Sequence, residues 1–150
     1  MDLILWRHAE AADGAPDDAR ELTAKGVRQA EKVAAFLHRH LPEHARILVS
    51  PASRAQQTAA ALTKRFTLAP AIAPGTSAQA VLEAVRWPAA GGTVLVVGHQ
   101  PILGEVAAQL LGCEGCSLNI KKGALWWFSR REREDSAQTT LRLVISPDFL

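Results

Sequence analysis

Three short apolar runs in this chain end in side chains that could handle an anion. Leu3–Trp6 leads into Arg7-His8, Ile47–Val49 leads into Ser50-Pro51-Ala52-Ser53-Arg54, and Val94–Val97 ends in Gly98-His99-Gln100-Pro101. Two guanidinium groups and two imidazoles are thus carried by segments far apart in sequence. Forked arginine donors fit a tetrahedral oxyanion better than a carbonyl group. A neutral imidazole can attack such an anion, and neighbouring positive charge keeps an imidazole neutral. The chemistry this set could perform is capture of a phosphoryl group and its transfer through nitrogen.

The elements around these residues must bring them together. The three runs do not alternate polar with apolar residues, which suits buried central strands of a parallel sheet. Each is followed by a helical pattern, so the order reads βαβαβα with helices on both faces. Ligand sites in such sheets lie at the carboxyl ends of the strands, which is where Arg7, His8, Arg54 and His99 fall. Val27, Ala30, Ala34, Leu37 and Leu41 form one helical stripe, with Thr23 as N-cap and Pro42 as stop. Ser50-Pro51 reads as the start of a second helix running to about Arg65. A third helix is expected over Ala78–Arg86 and a fourth over Pro101–Leu111. Arg54 in the first turn of one helix, and His99 just before another, sit where the positive dipole end favours an anion.

After Gly115 the texture changes. Ala124–Phe128 and Thr140–Ile145 read as strands of an antiparallel hairpin at the sheet edge, joined by the charged turn RREREDS. The expected fold is therefore a three-layer α/β/α arrangement, with a mostly parallel central sheet and that hairpin at its edge. The stretches 70–77 and 88–92 read as loops. Neighbouring Trp126 and Trp127 point to opposite faces of their strand, so at most one is expected in the core.

At 150 residues and 48% hydrophobic content, the chain can bury one core, and a single domain over 1–150 is expected. A formal charge of +2 gives no reason to expect a nucleic-acid or membrane partner. With no signal-peptide core and no apolar run that could span a bilayer, a cytoplasmic protein is expected. Cys113 and Cys116 form a C-x-x-C without a second ligand pair, and are read as a turn holding two thiols rather than a metal or redox site. His38, His40 and His44 straddle a helix end, where cations suit the dipole, and are read as a solvated terminus.

The residues also resemble a known pattern. LILWRHAEA is similar to the Arg-His signature of the histidine phosphatase superfamily, whose larger members include phosphoglycerate mutases and acid phosphatases. The resemblance continues through RELTAKGVRQA (Arg20–Ala30), LVSPASRAQQTA (Leu48–Ala59) and VVGHQP, and covers about two-thirds of the chain. The short length and the SPxxRAxQT form look most like the SixA-type phosphohistidine phosphatases. The resemblance implies that His8 is the phosphoacceptor and that Arg7, Arg54 and His99 bind the phosphoryl oxygens. It implies that Arg20 reaches the same anion, and that no metal or other cofactor is needed. Ala9 departs from the glycine that many members have after the histidine.

Larger members carry an insertion that supplies an acidic proton donor, whereas residues 66–77 here contain no Asp or Glu. Glu10, two residues from His8, is the best remaining acid, with a solvated loop carboxylate as the alternative. An alkoxide leaves poorly without an acid, while an imidazole, with a reference pKa of about 6.5, leaves readily. Few acids and an open site therefore point to phosphohistidine on a protein as substrate. His99 would add to the clamp if charged, and donate one hydrogen bond if neutral. The competing readings are a phosphatase of small phosphomonoesters using Glu10, and a non-catalytic module that binds phosphate or phosphoprotein.

Overall fold

The computed structural model describes all 150 residues. Four parallel strands and two antiparallel ones form a single sheet. They are β1 (Asp2–Arg7), β2 (Arg46–Val49), β3 (Thr67–Leu68), β4 (Thr93–Gly98), β5 (Leu125–Arg133) and β6 (Ser136–Ile145). Their order is β3-β2-β4-β1-β5-β6, with β3, β2, β4 and β1 parallel and the β5–β6 hairpin antiparallel beside β1. The four helices are α1 (Ala24–His40), α2 (Ser53–Ala60), α3 (Ala78–Val85) and α4 (Ile102–Leu110).

The continuous apolar runs are explained by burial on both faces. In β1, Leu3 and Leu5 pack with α3 and α4, while Ile4 and Trp6 pack with α1 and α2. In β4, Val94 and Val96 take the first side, and Leu95 and Val97 the second. Each face thus has its own core, and the apolar residues of both strands are fully buried.

Four local expectations need correcting. The second helix begins at Ser53, not at Ser50-Pro51, and ends at Ala60, not near Arg65. Ser50 is spent on other partners: its hydroxyl contacts His99 at 2.7 Å and accepts from the Ala52 N–H. The early end frees the chain to form β3, a two-residue edge strand pairing Thr67 with Leu48. The region 70–77 includes a 3-10 turn at Pro70–Ile72 that buries Ile72. The hairpin strands run through most of the charged stretch and turn only at Glu134–Asp135, since the outer ends of the ribbon stand free of the core and can be polar throughout. Cys113 and Cys116 do lie in a turn, but their sulfurs are joined in a disulfide. Trp127 is buried on the α1/α2 side, and Trp126 is half-buried against the opposite core. No helix is long and apolar enough to cross a membrane.

Candidate active site

Register alone makes two histidines neighbours. Arg7 pairs with Gly98 across the parallel β1–β4 ladder, so His8 and His99 are each the next residue beyond their strand. The His8 N–H donates to the Gly98 carbonyl, and the Ser50 N–H donates to Val97 beside it. The alternation that puts Ile4, Trp6, Leu95 and Val97 on the α1/α2 side carries His8 and His99 to that side as well. Their ring centroids are 5.1 Å apart.

Arg54, in the first turn of α2, reaches the same place. Its Nε donates to His8 Nε2 at 3.3 Å. The outer edge of the guanidinium is held by Asp17, with Nη1 on the backbone carbonyl at 2.7 Å and Nη2 on Oδ2 at 3.0 Å. Arg20 meets the other oxygen of that carboxylate at 3.1 Å and gives its Nε to the Ala12 carbonyl. These hydrogen bonds, from Arg20 first and then Arg54, hold the Asp17 carboxyl below its ordinary pKa. Arg7 donates Nη1 to the Ile120 carbonyl at 2.8 Å, and its Nε is buried without a partner.

Chemistry fixes the state of His8. Its Nδ1 lies 2.7 Å from the Ala9 carbonyl, which can only accept, so Nδ1 carries the proton. Nε2 therefore presents a lone pair, consistent with the N–H that Arg54 directs at it. His8 is 8% exposed, Arg54 5% and His99 4%. Burial, and then the positive charge of Arg54 and Arg7, push His8 down to about 4 against the opposing Ala9 hydrogen bond. Burial and the neighbouring His8 push His99 down to about 3. Both imidazoles are neutral at neutral pH. His99 Nε2 contacts the Ser50 hydroxyl, and its Nδ1 is buried without a partner.

Glu10 sits differently. Its carboxylate accepts from the Thr23 hydroxyl at 2.8 Å, and its N–H donates to Gln29. Thr23 is also the N-cap of α1, so Glu10 fastens the loop after β1 to that helix start. Asp17 and Thr58 take part in the site although the charge and spacing arguments pass them by. Thr58 is wholly buried; its hydroxyl donates to the Arg54 carbonyl at 2.8 Å and accepts from the Ala9 N–H at 3.0 Å. The signal for Thr58 was its place four residues after Arg54 in the SPxxRAxQT stretch. For Asp17 there was no signal beyond being a carboxylate three residues before Arg20.

Residues 3–77 match the family model of the histidine phosphatase superfamily (branch 1). The SixA homolog of Haemophilus influenzae, a phosphohistidine phosphatase by name, is 34% identical over 128 residues, covering 75% of this chain and 78% of its own. The chain belongs to the histidine phosphatase superfamily. Within that superfamily it is of the SixA type, and it is a phosphatase. The SixA of Escherichia coli is 32% identical over 125 residues, covering 77% and 76% of the two chains. A solved structure of the protein histidine phosphatase SixA with tungstate superposes at a TM-score of 0.82, with 26% identity over 99% of both chains.

Proposed function

We propose that this histidine phosphatase removes the phosphoryl group from phosphohistidine on a protein, through a covalent phospho-His8 intermediate. The observation that carries the reading is the fixed lone pair on His8 Nε2, with the Arg54 Nε 3.3 Å away. In the first step Nε2 bonds to phosphorus as the P–N bond of the substrate breaks. The departing imidazole can be protonated on its other ring nitrogen beforehand, so it leaves neutral. In the second step water attacks phospho-His8, releasing phosphate and restoring the imidazole.

Arg54, Arg7 and Arg20 supply positive charge to the phosphoryl oxygens, and most of the acceleration comes from its being in place beforehand. A Ser50 hydroxyl donating to His99 Nε2 leaves Nδ1 to carry the proton, which makes the unpartnered atom a donor for the phosphoryl group. The engagement of Glu10 with Thr23 supports a place for it at the loop–helix junction rather than in proton delivery, and so favours a phosphoramidate over a phosphomonoester. The cytoplasm is the compartment this reading assigns.

Rapid quenching with a 32P-phosphohistidine protein tests the proposal. The expected result is an acid-labile, base-stable label on the wild-type enzyme and none on His8→Ala. Label retained by His8→Ala, or faster turnover of a small phosphomonoester than of the phosphohistidine protein, would overturn it.

A further inference from the structure

A cavity of about 290 Å³ opens beside the nucleophile on the side away from Arg54 and His99. The topology sets that placement. Strand β1 lies between β4 and β5, and Arg54 and His99 reach His8 from the β2 and β4 side. The cavity is built on the other side, from the segment leading into β5. Its wall includes Lys121 and Lys122, immediately before Gly123, whose N–H donates to the carbonyl of His8 itself. Lys25, from the first turn of α1, and Arg7 complete the basic lining, against the single carboxylate of Asp148.

This charge is unspent. All three lysines are exposed, and none forms an ion pair within 4.0 Å. Arg7 belongs to both places, since it neighbours His8 in sequence and lines the cavity. Four cations facing one anion attract carboxylates and raise the encounter rate with an acidic surface. A nucleic acid is the poorer fit, because the chain as a whole carries only +2 and the basic lining is confined to one cavity.

We propose that this cavity docks acidic side chains flanking the phosphohistidine of a substrate protein, so that the enzyme selects acidic partners. The proposal rests on the phosphohistidine reading above and adds the partner's chemistry to it. Three probes test it: phosphoramidate, a phosphohistidine peptide flanked by glutamates, and the same peptide with glutamines. The wild-type enzyme should show a KM about tenfold lower for the glutamate peptide than for the glutamine peptide, a gap that shrinks in 0.5 M salt. In the double variant Lys121→Gln, Lys122→Gln the gap should close, with kcat and KM on phosphoramidate unchanged.

Equal KM values for the two peptides in the wild type would overturn the proposal. So would a double variant that loses as much on phosphoramidate as on the glutamate peptide, or stronger inhibition by a single-stranded oligonucleotide than by polyglutamate. If none of the three probes is hydrolysed, the phosphohistidine reading itself fails and this one falls with it.

Discussion

His8 keeps its lone pair through two arrangements that reinforce each other. The Ala9 carbonyl assigns the proton to Nδ1, and burial among guanidinium groups prevents a second proton from adding at Nε2. Nitrogen-detected NMR titration should find His8 Nε2 unprotonated from pH 8 down to pH 5; titration near pH 6.5 would refute this account. Arg54 has to keep its aim as well, and Asp17 does that from outside by occupying its outer edge. Asp17 is 59% exposed in its side chain, so the fold should tolerate its loss. Asp17→Asn should lower kcat about tenfold by letting Arg54 drift, with a melting temperature close to wild type. The neighbouring Asp18→Asn, which removes the same charge without touching Arg54, should leave kcat unchanged. Equal losses in the two variants would mean that charge alone is at work. Thr58→Val strips the Ala9 N–H of its only side-chain acceptor in a buried place. The expected cost is about 1–3 kcal/mol of stability in urea unfolding, with reduced kcat because Ala9 also orients the His8 ring.

The elements explain why those residues meet. The loop after β1 is pinned where it passes α1: Glu10 accepts the Thr23 N–H through its carbonyl and the Thr23 hydroxyl through its carboxylate. Gly26 makes the close approach possible, because a Cβ there would fall on the Glu10 carbonyl. Gly26→Ala should therefore destabilise the protein and lower activity, even though alanine favours an exposed helix by about 1 kcal/mol. A gain in melting temperature would show that the loop does not press on the helix. Contacts of this kind leave no pattern in a sequence. The strands did, because a run such as Val94–Val97, covered on both faces, cannot contain polar residues. The first helix was legible from Ala30, Ala34, Leu37 and its Thr23 cap, although Val27 of the expected stripe is exposed, Leu41 falls just past the helix end, and Val33 is buried in the core instead. Strand β3 was not, since two exposed residues at an edge carry no periodicity. Ser50-Pro51 suggested a helix start because serine and proline favour one locally, yet His99 claims the Ser50 hydroxyl and the helix begins three residues later. For the site, the guanidinium and imidazole groups could be read from their positions after apolar runs. Asp17 could not, because its role depends on a loop folding back over α2.

For the molecule as a whole, keeping both imidazoles neutral couples stability to pH. In the unfolded chain His8 and His99 take up protons near pH 6.5, whereas in the folded protein they do so only at about 4 and about 3. Between these limits the unfolded chain binds more protons, so stability rises with pH. The contribution is complete above pH 6.5 and is lost as pH falls, toward about 4 for His8 and about 3 for His99. The slope approaches about 1.4 kcal/mol per pH unit for each histidine. Asp2 adds to the loss only at lower pH: burial pushes its carboxyl up, but hydrogen bonds from Ser129, Trp127 and Arg142 outweigh this and hold it below 3.8. Urea unfolding from pH 8 to pH 5 should therefore give a flat midpoint above pH 7 and a falling one below pH 6. Replacing His99 by glutamine should reduce that slope while Ser50 keeps a polar partner. An unchanged midpoint between pH 7 and pH 5 would show that the two rings titrate as they do in water, and a nucleophile shielded from protons would then be ruled out together with the stability coupling. On the proposed mechanism, the burial that keeps His8 unprotonated for attack also makes the fold sensitive to mild acid, so a variant stabilised at pH 5 by exposing His8 should lose activity.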